Sequence, residues 1–169
     1  MANTYTLIES KTLGSNTASV EFTSIPQTYT DLLLKTSVRT SNNNFDSIMI
    51  RPNSSSTNLS TKWIQGVFTP SGSVVSESYS FILLRANGND STANTFSNGE
   101  AYFPNYAGSN YKSMNLDSVT ESNGGNTLMV LAAGLWSNTS AITSLYMVTE
   151  SGGNFLTNST FYLYGISNS

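Results

Sequence analysis

Apolar side chains along this chain come in short runs, and turn-forming clusters separate the runs. Val20 and Phe22 alternate with Ser19, Glu21 and Thr23, while Tyr79, Phe81 and Leu83 recur at every second position. A period of two puts alternate side chains on opposite faces of a strand, one face buried and one wetted. The pattern predicts strands over 5–9, 19–23, 31–39, 45–51, 62–68, 76–85, 95–103, 114–120, 127–135, 142–149 and 160–166. Segment 127–135 is apolar on nearly every residue and has the look of a buried helical turn. It is short and flanked by turn signals, so it is read as a strand. Between the runs stand clusters such as Gly14-Ser15-Asn16, Asn87-Gly88-Asn89-Asp90, Asn123-Gly124-Gly125-Asn126 and Gly152-Gly153-Asn154. Gly and Asn tolerate the positive φ that tight turns demand. About ten strands with this punctuation describe an all-β fold, an antiparallel β-sandwich or barrel.

Length and composition narrow this to one domain spanning 1–169, with residues 1–10 as an extended arm or edge strand. Hydrophobic residues make up 38% of the chain, enough for a core. Ser, Thr and Asn supply about two-fifths of it, and there is neither histidine nor cysteine. Polar groups of this kind make hydrogen bonds and turns but transfer protons poorly unaided. The seven Lys and Arg are scattered and the net charge is −3. No basic stripe exists to follow a phosphate backbone, so no nucleic-acid partner is expected, and no membrane partner for the same reason. The opening residues lack the basic and apolar stretches of a secretion signal.

Candidate chemistry is thin. Serine nucleophiles need a base and an orienting acid, and no Ser-x-x-Lys spacing occurs. Most of the ten acids, Glu100, Asp117 and Glu121 among those considered, read as solvated groups at strand ends and solvent-facing positions rather than a glycosidase pair. Asn87-Gly88-Asn89-Asp90-Ser91 resembles a cation loop but has one carboxylate and no distal Glu, and reads as a turn. No enzyme activity, catalytic residue, metal site or cofactor is expected. Trp63 and Trp136 read as core. Tyr102, Phe103, Tyr106 and Tyr111 cluster around Pro104-Asn105 and could anchor a partner or stack on sugars. The alternative puts two of them in the core. Val119-Thr120-Glu121-Ser122-Asn123-Gly124-Gly125-Asn126 nearly recurs from Val148 to Asn154. Convergent strand-end chemistry explains this more simply than two equivalent hairpins meeting one partner.

Certain stretches together carry a resemblance. They are Asn3-Thr4-Tyr5-Thr6-Leu7-Ile8, Ser24-Ile25-Pro26-Gln27-Thr28-Tyr29-Thr30-Asp31-Leu32, Tyr102-Phe103-Pro104-Asn105-Tyr106, Gly134-Leu135-Trp136-Ser137-Asn138-Thr139 and Phe161-Tyr162-Leu163-Tyr164-Gly165. The chain resembles the small Ser/Thr/Asn-rich β-sandwich virion proteins of tailed phages infecting cyanobacteria and other aquatic bacteria. The resemblance implies a jelly-roll-like sandwich resident in the virion, made in the host cytoplasm and released by lysis. The expected role is a capsid decoration or cement protein that docks on the assembled shell. Its expected partners are the major capsid protein and itself, as a homotrimer or else a dimer. The alternative is a receptor- or glycan-binding head module at a tail fibre or tail tip. The segment 2–6 and the loop 102–111 are the expected interfaces, with Asn3, Tyr5, Tyr102, Tyr106 and Tyr111 as partner-binding residues.

Overall fold

The structure, a computed structural model, describes residues 4–68, 73–123 and 127–167. Among these there is no helix. Twelve strands follow one another: β1 (Tyr5–Thr12), β2 (Ser19–Phe22), β3 (Asp31–Val38), β4 (Phe45–Pro52), β5 (Leu59–Phe68), β6 (Ser73–Tyr79), β7 (Ile82–Asn87), β8 (Ser97–Phe103), β9 (Lys112–Thr120), β10 (Thr127–Trp136), β11 (Leu145–Thr149) and β12 (Thr160–Ile166). They form two antiparallel sheets packed as a sandwich. The long sheet has the order β1-β12-β3-β8-β9-β10-β5-β6, and the short sheet β2-β11-β4-β7. Strands β1 to β4 alternate between the sheets, as do β7 with β8 and β11 with β12. The hairpin pairs β5–β6 and β9–β10 extend the long sheet.

Inward-facing residues of both sheets make one core. Phe22, Leu32, Leu34, Ile48, Ile50, Phe103, Phe161 and Leu163 are inaccessible to solvent. Each such side chain stabilises the fold by about 1.5–3 kcal/mol relative to exposure. Trp63 and Trp136 are in the core, as the sequence indicates. Gly165, on β12, faces the ring of Tyr29, and a Cβ there would lie 2.3 Å from it. Only a bare backbone leaves room for that ring.

The long sheet outgrows the short one and packs beyond its edge. Strand β7 ends the short sheet but contacts β8, β9, β10 and β5, and all six of its residues are buried. Arg85 on β7 illustrates the consequence. Its guanidinium carbon lies 4.7 Å from the Phe45 ring centroid on β4 and 4.3 Å from the Trp63 ring on β5. Its Nη1 donates to Ser47 Oγ at 3.0 Å. A cation held between two aromatic faces thus joins the sheets where no continuous ladder can.

Two expectations need correction. The single strand expected over 76–85 is two strands in different sheets, with the crossover at Ser80 and Phe81. The alternation of Tyr79, Phe81 and Leu83 runs through the crossover because all three pack on the core, so period alone does not mark it. Thr61 Oγ1 donates to the Phe81 carbonyl at 2.7 Å where the chain leaves the ladder. Two of the acids, Asp31 and Asp46, are buried rather than solvent-facing. Asp46 accepts from the Ser47 amide at 2.7 Å, from Ser151 Oγ at 2.9 Å and from the Asn42 side chain. Neutral donors of this type are what a Ser- and Asn-rich chain supplies in place of cations.

The near-repeat resolves into non-equivalent contexts. Val119 and Thr120 end β9 in the long sheet, and Val148 and Thr149 end β11 in the short sheet. Residues 124–126 lie outside the described residues. The loop 87–91 is a turn filled from within: Arg39 donates to the carbonyls of Asn89, Ser91 and Thr92 at 2.7–2.8 Å. A guanidinium occupies the carbonyl cage that a cation would need.

Candidate docking face

The outer face of the long sheet can be read row by row from its register. One row runs Leu7, Tyr164, Leu33, Tyr102, Asn115, Ala133, Lys62. The next runs Tyr162, Lys35, Glu100, Asp117, Leu131, Ile64. Residues of each row share a face because each strand alternates. An antiparallel sheet with one wetted face normally shows polar residues there. Here that face is largely tyrosine and aliphatic.

Two regions differ in character. On β1, β12, β3 and β8, Tyr5, Leu33, Lys35, Glu100 and Tyr164 line a shallow depression. Tyr5 is 57% exposed and Leu7 49%. On β9, β10 and β5 the exposed large hydrophobic residues are Ile64, Val119, Met129 and Leu131, the last 65% exposed, set among exposed Lys62, Asn115 and Asp117. Between the regions Lys35 Nζ meets Glu100 at 2.8 Å. That bond raises the Lys35 ammonium above its ordinary value. Partial desolvation, with the Glu100 charge beside it, pushes the Asp117 carboxyl up. The exposed pair Lys35–Glu100 adds under about 1 kcal/mol to stability. It leaves the centre of the face with little net charge to desolvate on docking.

The loop between β8 and β9 is held at both ends by buried charges. Asp31 accepts from Tyr102 Oη at 2.7 Å and from the Asn105 amide at 2.8 Å. Lys112, also buried, donates through Nζ to the Gly108 carbonyl at 2.7 Å and to that of Asn110. Burial pushes the Lys112 ammonium below its ordinary value. The loop is thus a fixed shape rather than an adaptable one.

No protein-family profile matches this chain, and no curated protein gives a significant match. The site therefore rests on its geometry. Of the residues expected to bind a partner, Tyr5 and Tyr102 come together on the outer face, near enough that Tyr5 raises the Tyr102 phenol further. Tyr111 is exposed at the end of the loop, outside the depression that Tyr5 lines. Asn3 lies outside the described residues. Tyr106 is a correction: it is fully buried, and its hydroxyl donates to the Pro26 carbonyl. It anchors the loop to the core and does not reach a partner. With Phe103, also fully buried, it accounts for the two core members of the aromatic cluster.

The apolar patch on β5, β9 and β10 was not among the expected interfaces. Its signal is the run Thr127-Leu128-Met129-Val130-Leu131-Ala132-Ala133, apolar on both faces although one face is open.

The Tyr102 phenol is pushed up to about 12, chiefly because it donates to Asp31 and secondarily by burial. A raised phenol favours the neutral form in the folded chain. The associated stability is complete below the ordinary value of 10.0 and is lost as pH rises from there through about 12. Burial pushes the Tyr106 phenol up as well, so ultraviolet difference titration is expected to show a late component after the exposed tyrosines, and Tyr102→Phe to remove one tyrosine's share of it. Joint ionisation of all accessible tyrosines near their ordinary value would refute it.

Proposed function

We propose that this chain is a structural docking module, and that it serves as a decoration protein on a phage capsid. The carrying observation is the outer face of the long sheet, broad, open, rich in tyrosine and aliphatic groups and internally charge-compensated. Large exposed patches of this kind mark interaction sites in soluble proteins. Tyrosine supplies large contact area at low entropy cost with a polar tip. The strand order gives independent support. Without the hairpins β5–β6 and β9–β10, the order β1-β12-β3-β8 faces β2-β11-β4-β7. That interleaving supports a jelly-roll reading of the sandwich, an architecture that recurs in viral shells and in lectins. The resemblance to phage virion proteins supplies the biological setting, and the major capsid protein is the proposed partner. A module that binds only the assembled shell stabilises it by linkage.

The tail-tip reading keeps one observation in its favour. Tyrosines beside the Lys35–Glu100 pair form a shallow depression of the type that stacks on a sugar and hydrogen-bonds its hydroxyls. Copy number separates the two: hundreds per particle for shell decoration, about a dozen for a tail tip.

The test is retention on purified particles. Tyr5→Asp and Leu7→Asp place charge at exposed positions and should leave the melting temperature nearly unchanged. Retention is expected to fall at least about tenfold. Undiminished retention would exclude this half of the face as the docking surface. Absence of the protein from mature particles would exclude the virion role.

A further inference from the structure

We propose that the apolar strip on β5, β9 and β10 is the interface of a twofold dimer of this chain. The inference goes beyond the virion role and does not rest on it. Ile64 and Leu131 are directly opposed on neighbouring strands, and Val119 and Met129 are opposed one step along. The four residues form an exposed zigzag from Ile64 on β5 through Leu131 and Met129 on β10 to Val119 on β9. Leu131 stands between two shallow hollows, one bordered by Lys62, Ile64 and Ala133, the other by Gly66, Val119 and Met129. About a twofold axis along β10, Leu131 of one copy meets Leu131 of the other, with the shallow hollows before and after it along the strand facing their own counterparts.

Charge identifies the occupant as a second copy. The β9 side of the strip carries Asp117, with Glu100 opposite it on β8. The β5 side carries Lys62, exposed and in no ion pair among the described residues. A twofold axis lying along β10 brings β9 of one copy over β5 of the other. Asp117 of each then lies over Ile64 of the other, with Lys62 of that copy in the adjacent row, and the arrangement occurs twice. Lys62 sits one row along from Asp117, a step of about 7 Å that its side chain spans. Rotation about any axis that superposes like flanks would set acid over acid. The charge arrangement therefore favours a twofold pairing, the dimer of the two oligomers the resemblance implies.

Three strands of nine or ten residues supply the contact. Their footprint is about 30 Å by 14 Å, roughly 840 Å² over both copies, below the size of stable interfaces and in the range of weak, transient ones. The test is sedimentation velocity on the full chain from about 1 to 200 µM. A monomer–dimer equilibrium is expected within that range. Leu131→Lys sets two like charges against each other at the axis and is expected to leave only monomer. Lys62→Glu and Asp117→Lys, each alone, are expected to weaken association at least about tenfold, and the two together to restore it to within a few-fold. All three positions are exposed, so melting temperatures should stay close to that of the parent chain. A monomer across the whole range, a trimer, a dimer that survives Leu131→Lys, or a double variant weaker than both singles would each overturn the proposal.

Discussion

Replacing Arg85 by alanine is expected to destabilise the fold by about 4 kcal/mol, a drop in melting temperature of roughly 10 °C for a chain of this size. The guanidinium lies between Phe45 on one sheet and Trp63 on the other and donates to Ser47. Only 9% of the residue is exposed, so both ring contacts are largely desolvated and near the upper end of their range. Truncation also removes the aliphatic stem from a packed layer and leaves a cavity. Arg85→Lys keeps the charge but not the planar stacking, and should lose about half as much. Arg85→Met should be milder than alanine, because it fills the space and removes the cost of burying charge. Equilibrium urea unfolding measures all three. An alanine variant within about 1 kcal/mol of the parent chain would show that the sandwiched cation does not join the sheets.

Asp31→Ala is expected to cost about 3 kcal/mol and to loosen the loop 104–111. Two buried or half-buried donors, the Tyr102 hydroxyl and the Asn105 amide, lose their acceptor together. A donor stranded in this way costs about 1–3 kcal/mol. Asp31→Asn keeps the shape and one acceptor, and should fall between alanine and the parent. Tyr102→Phe removes only one donor, leaves Asp31 bonded to Asn105, and should cost about 1 kcal/mol. Amide hydrogen exchange supplies the second readout. Asp31→Ala should speed exchange at Asn105 and its neighbours without affecting β4 or β11. Uniform acceleration across both sheets would mean that the effect is global and that Asp31 has no special hold on the loop.

The all-β sandwich was legible because period two survives wherever one face is buried, as along Lys112-Ser113-Met114-Asn115-Leu116-Asp117, whose residues alternate between buried and exposed. The crossover at Ser80 and Phe81 was not legible. No Gly or Pro marks it, and both strands send aromatic residues to one core. Burial of Asp31 and Asp46 escaped because their partners are backbone amides, hydroxyls and a side-chain amide, none of which forms an acid–base pair in sequence. Arg39 and Arg85 likewise meet carbonyls and rings contributed by distant strands. For the candidate face, Tyr5 and Tyr102 were identifiable as aromatic residues, but their meeting depends on β12 and β3 lying between β1 and β8. Tyr106 looked no different from Tyr111, because exposure in a loop is decided by which carbonyl the hydroxyl finds. The Leu131 patch was visible as an excess of apolar residues in β10. Alternation shows that a strand is more apolar than one core face needs, but not which neighbours the surplus residues join.

The position of β12 has a consequence for the order of assembly. It is inserted between β1 and β3, with Tyr164 opposite both Leu7 and Leu33. During synthesis β1 and β3 wait beside an empty slot while more than a hundred later residues are made. The β9–β10 hairpin, by contrast, can zip up locally as soon as it leaves the ribosome. The tyrosine half of the outer face therefore takes shape last, and a nascent chain cannot engage a partner through it until residue 166 has emerged.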